Sequence, residues 1–167
     1  MNTKHRTASR AKREDLSLIP KFWQPKVPPD RQILAQVVHW DNLASFVNGT
    51  ADVSIMWDWV EAGLTYSEMA RLLIADGVQI TDEAMTAIAE QLGAYESVIK
   101  RYRETGKVRF SGPELNIARA AAHVMDQLIE TDRHGIAWKA RQWSDGEMAK
   151  LKTAFAVCSN FNSEVSV

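Results

Sequence analysis

Apolar residues recur every three or four positions through most of the chain, and no stretch alternates strictly, as a half-buried strand would. Asp30 can cap a first helix with its carboxylate. Ile33, Val37, Trp40, Ala44 and Val47 then form a stripe over about 31–48, and Gly49 supplies the left-handed stop. Asp52 can cap a second helix, about 53–76, with the stripe Ile55, Trp59, Ala62, Tyr66, Met69 and Leu73. Thr65 and Glu68 have the spacing of a capping box, which would restart a helix there. The stripe keeps its phase through Gly63, so one continuous helix is the reading. The glycine permits close packing at a cost of ~1 kcal/mol in helix propensity.

Thr81 caps a third helix whose seam, Met85, Ile88, Leu92, Tyr95, Ile99 and Tyr102, ends at Gly106. Gly112-Pro113 opens a fourth, with proline in the first turn and Ala118, Ala121, Met125 and Leu128 as its seam. Gly135 is a break. Ser144 and Glu147 form another capping box, which predicts a short last helix over about 145–157. The expected fold is all-α: an up-down bundle of four long helices with the short C-terminal helix packed across it. The bundle domain would span 31–157, preceded by a basic arm and proline-rich connector over 1–30 and followed by a frayed tail over 158–167.

Residues 63–85 also have the outline of a helix-turn-helix DNA reader. A recognition helix presents Arg, Lys, Asn or Gln to base edges and cations to phosphates. The helix after Thr81 presents Asp82, Glu83, Glu90 and Glu96, and Gln91 alone suits base reading. Phosphates would repel that face, so an ordinary helical hairpin is the better reading.

Composition adds little at first sight: 167 residues, 46% hydrophobic, 25% charged and a formal net charge of −1, as in one ordinary globular domain. The single cysteine, Cys158, allows no internal disulfide and favours a cytoplasmic setting. No apolar run is long enough for a membrane span. The distribution of charge says more. Lys4, Arg6, Arg10, Lys12 and Arg13 make residues 1–13 a basic arm without acids, expected to be disordered. Four prolines follow within 14–30, where Leu18, Ile19, Phe22 and Trp23 suggest an extended connector lying on a surface. Residues 50–96 carry nine acids against one base, Arg71. Residues 97–110 then carry five bases, Lys100, Arg101, Arg103, Lys107 and Arg109, against one acid.

Two surfaces follow from this distribution. The basic arm and residues 100–109, with Tyr102 and Phe110 among them, have the residue types that neutralise phosphate and stack on bases. The bland alternative is a solvated helix end, where cations favour the macrodipole. The acidic face of the second and third helices, with Asp58, Glu61 and Glu90 and with Trp57 if it is exposed, would suit a basic protein partner. A homodimer through the third helix is a further option. Catalytic and cofactor motifs fail on inspection. Gly106-Lys107 lacks the first glycine and the Ser/Thr of a phosphate loop, there is no G-x-S-x-G elbow, and Cys158 has no base beside it. His123, Asp126, Asp132 and His134 are the nearest approach to a metal set, without a cysteine pair or an H-E-x-x-H pattern. No cofactor and no metal are expected.

Thr50, Trp57, Arg103, Thr105, Gly106, the run Gly112-Pro113-Glu114-Leu115, Ala121 and Asp126 carry a resemblance over roughly residues 40–135. The pattern is similar to that of short all-helical accessory proteins encoded by proteobacterial plasmids and prophages, some of which are labelled Fis-family regulators. The resemblance implies a mobile-element accessory protein, and the label implies DNA binding. The chain departs from a Fis-type protein at its end, "AVCSNFNSEVSV", where a basic helix-turn-helix would stand. The expectation is a non-enzymatic, cytoplasmic, nucleic-acid-associated accessory or regulatory protein. The alternative is a phage- or plasmid-encoded modulator that binds a host protein, such as a defence or nucleic-acid enzyme, through its acidic face.

Overall fold

Five helices make up the computed structural model, which describes residues 29–132 and 135–164: α1 (Pro29–Asn48), α2 (Val53–Ala75), α3 (Asp82–Thr105), α4 (Gly112–Thr131) and α5 (Ile136–Glu164). The basic arm and most of the proline-rich connector, with Lys4, Arg6, Arg10, Lys12 and Arg13, lie outside the described residues, as does His134. The fold class is the expected all-α bundle, and no strand occurs among the described residues.

The helix ends follow from capping chemistry. The Asp52 carboxylate accepts from the Ile55 amide at 3.0 Å, and the Thr81 hydroxyl accepts from the Ala84 amide at 3.3 Å. Gly106 ends α3 at φ +68°, in the left-handed region that favours glycine. The α3–α4 turn is closed by Glu114, which accepts from the Ser111 amide at 2.6 Å and from the Arg101 guanidinium at 2.8 and 3.0 Å.

α2 is the hub. Met56, Trp59, Met69 and Ala70 are fully buried along it, and it packs most extensively against α5 and also against α3. It runs unbroken through Gly63, as the phase of its stripe predicts. A Cβ at Gly63 would overlap the Gln91 side chain and approach Leu92 Cδ2 to 2.8 Å, so the glycine is what lets α2 and α3 close together. α4 packs against both α3 and α1.

Two expectations shift. The last helix has 29 residues and starts at Ile136, not near 145. Asp132, buried after α4, accepts from the Ile136 amide at 2.9 Å and so starts it one turn after the α4 end. Ser144, the expected cap, is a fully buried mid-helix residue whose hydroxyl bonds to the Arg141 carbonyl and to the Thr65 hydroxyl of α2 at 2.7 Å. α1 turns a different face inward from the one predicted. His39, Leu43 and Phe46 are buried, with Trp40 half-buried, while Ile33, Val37, Ala44 and Val47 are exposed.

Candidate functional site

The inward face of α1 brings a polar group into contact with α2. His39 meets the Tyr66 ring edge-on at 5.1 Å and the Trp59 ring at 6.3 Å. Burial holds the imidazole below its ordinary pKa, with the Asp126 carboxylate pulling weakly the other way. Burial, reinforced by the same carboxylate, pushes the Tyr66 hydroxyl well up. Asp126 accepts from the Trp40 indole at 2.9 Å, which fixes α1 to α4.

Between α1, α2 and α5 lies a cleft of about 240 Å³ lined by His39, Asp58, Glu61, Thr65, Tyr66 and Arg141, with Ala35, Val38 and Ala62 as its apolar wall. Asp58 and Glu61, picked out from sequence, share this cleft. Arg141 of α5 pairs with Glu61 and reaches Asp145 at 3.2 Å. His39, Tyr66 and Arg141 were not picked out. They stand 27 or more residues from one another along the chain, and in helical periodicity His39 lies off the α1 stripe, Tyr66 is a core position of α2 and Arg141 is a surface charge.

The other two members of the acidic set go elsewhere. Trp57, one residue before Asp58, points about 100° away around the helix. It packs edge-on against Phe155 at 5.3 Å, in an apolar groove over α2 that Leu92, Ile99 and Leu151 also line. It is half-buried and not an isolated exposed tryptophan. Glu90 is exposed on α3 and lines none of these hollows. Glu68 is buried and paired with Arg71 at 2.6 Å.

The basic stretch is divided too. Arg101 is held by Glu114 and by the Arg109 carbonyl, and Arg103 lies over the Phe155 ring at 4.8 Å. Lys100, Lys107 and Arg109 are exposed. Lys107 and Arg109 line a broad depression of about 760 Å³ at one end of the bundle, with Tyr102 and the α1–α2 turn. Phe110 packs against Phe46 at 4.3 Å. Of the metal candidates, His123 meets the Trp40 ring at 4.8 Å and Asp132 caps α5. No group of three or more potential metal ligands occurs among the described residues.

The outer face of α1 is the least expected surface. Ile33 is 61% exposed, Leu34 60%, Val37 48% and Val38 44%, contiguous over two turns. Val38 also lines the polar cleft, so the apolar stripe runs to its mouth. Trp138, one turn before Arg141 on the same face of α5, is also exposed. No helix among the described residues is long and apolar enough to cross a membrane. Comparisons with protein-family models, curated proteins and solved structures found no match to the chain.

Proposed function

We propose that the protein is a binding module rather than an enzyme, acting in the cytoplasm, and that it docks a protein partner over α1. The partner's chemistry is stated by the surface: apolar side chains to cover the α1 stripe, beside a basic residue at the acid-lined cleft. The observation that carries this reading is the run Ile33, Leu34, Val37 and Val38, exposed together on one face. Single exposed apolar residues are ordinary, but a contiguous patch edged by polar groups is a mark of an interaction surface. The cleft, at about 240 Å³, is smaller than the ~300–1,000 Å³ typical of small-molecule sites, which favours a recognition pocket over a substrate site. The resemblance to plasmid and prophage accessory proteins supports a modulator of a host protein.

A photocrosslinking residue placed at Val37 tests this in cells of the natural host, with the same residue at Glu90 as the control. A discrete crosslinked species at Val37 alone, abolished by Leu34→Glu, is expected. A crosslink to a second copy, or one confined to residues 14–28 of the same chain, would overturn the reading.

A second reading draws on the depression lined by Tyr102, Lys107 and Arg109, whose exposed cations would suit a phosphate backbone. It is the surface on which a nucleic-acid-associated role would rest, together with the basic arm. Anisotropy titrations with duplex and single-stranded probes at increasing salt separate the two readings. Retention at Lys107→Glu/Arg109→Glu of whatever binding is seen would remove the depression from consideration.

A further inference from the structure

We propose that the cleft between α1, α2 and α5 is a receptor for one guanidinium or ammonium group, carried on a basic side chain of the docked protein; this rests on the docking reading above. The case begins with an excess of acceptors. Asp58, exposed to solvent, lines the cleft with no ion-pair or hydrogen-bond partner among the described residues. Tyr66 is 5% exposed and lines the cleft, yet its hydroxyl has no protein partner among the described residues. His39, 8% exposed, lines the cleft with its pKa lowered by burial, and its buried Nδ1 has no hydrogen-bond partner among the described residues. Glu61 completes the set. Against these stands one cation, Arg141, whose guanidinium is already divided between Glu61 and Asp145.

Such a lining selects by charge and by hydrogen-bond sense. An anion would face two carboxylates with one committed arginine in compensation. A neutral apolar group would leave the Tyr66 hydroxyl and the Asp58 carboxylate unserved, which is costly once water is excluded. A cation with several N–H donors satisfies both. The shape agrees, because Ala35, Val38 and Ala62 offer an apolar wall along which the methylene stem of a long basic side chain can lie, with its charged head among the acceptors. Arginine fits better than lysine, since its planar fork serves several acceptors at once. A cavity of about 240 Å³ suits one such side chain and not a larger ligand.

The test uses the full chain, isotope-labelled, with N-acetyl-arginine amide as the probe and N-acetyl-citrulline amide as its neutral counterpart of nearly the same shape. Saturable chemical-shift changes at Asn42, Ala62 and Tyr66 are expected with the arginine probe, with at least tenfold weaker binding of citrulline. Asp58→Asn and Tyr66→Phe, both conservative in shape, should each weaken arginine binding severalfold, while Glu90→Gln should leave it unchanged. Equal binding of the two probes, shifts centred on other acids, or an unaffected Asp58→Asn variant would each overturn the proposal. The two levels separate cleanly. Arginine binding in the cleft without a crosslink at Val37 retains the receptor and removes protein docking. A Val37 crosslink that is lost with Leu34→Glu, without arginine binding, retains docking and removes the receptor.

Discussion

At the scale of single residues, two glycines of similar local sequence character have opposite roles. Gly63 faces the Gln91 side chain, which is fully buried and donates to the Trp59 carbonyl at 3.2 Å, so it has little freedom to retreat. Overpacking there costs about 1–3 kcal/mol, against the ~1 kcal/mol that alanine returns in helix propensity. Gly93, on α3, has open space where its Cβ would stand. Gly63→Ala should therefore lower the melting temperature and Gly93→Ala should raise it, by a few degrees each for a chain of this size. Calorimetry on the two variants checks the signs. His39 gives the second expectation. Burial lowers its pKa in the folded state, so the folded protein binds this proton less readily than the unfolded chain. The resulting stability is complete above the unfolded value of ~6.5 and is lost as pH falls below it. Urea midpoints at pH 7.5 and 5.5 should fall further for the native protein than for His39→Leu, and equal falls would show that His39 is not the group responsible.

At the scale of elements, what the sequence reveals depends on whether the signal is local. α2 and α3 begin and end, and α4 begins, within a residue or so of the predicted limits, because Asp52, Thr81, Gly106 and Gly112-Pro113 are short-range capping and turn signals. α1 has the right length and the wrong phase. Of its predicted stripe, Ile33-Val37-Trp40-Ala44-Val47, all but the half-buried Trp40 face outward, while the stripe that packs includes His39, which periodicity discounts. Tertiary contacts choose the face: His39 meets the Trp59 and Tyr66 rings of α2, and Leu43 and Phe46 join the same core as Trp59. α5 fails in a related way. The Ser144-x-x-Glu147 pattern is a genuine capping signal in isolation, but Thr65, 79 residues away, offers the Ser144 hydroxyl a partner inside a continuous helix. Capping motifs name candidates for helix starts, and long-range partners choose among them. The basic stretch behaves likewise, since Arg101 is committed to Glu114 across a turn that the charge count does not see.

At the scale of the whole molecule, the same logic explains why only two of the five ionisable residues at the candidate cleft are legible in the sequence. Asp58 and Glu61 announce themselves as acids on a helix, whereas His39, Tyr66 and Arg141 join them only when α1 and α5 close on α2. That assembly also sets the order of stability within the bundle. α2 is enclosed, with four side chains at zero exposure and neighbours on several sides. α1 is peripheral: it touches α4 and, weakly, α2, and none of residues 30–38 is buried. Local opening needs the least energy where few apolar contacts must be broken. Amide hydrogen exchange should therefore be fastest, among the helices, over 30–38 and slowest over 56–73. If 30–38 is instead protected as strongly as α2, the α1 stripe is already covered in the isolated protein. Dilution then identifies the cover: protection that falls with concentration indicates a second copy, and protection that does not indicates the chain's own N-terminal residues. Fast exchange over 30–38 that slows when a partner is added would place the docking surface where the exposed stripe puts it, with the cleft as its polar anchor.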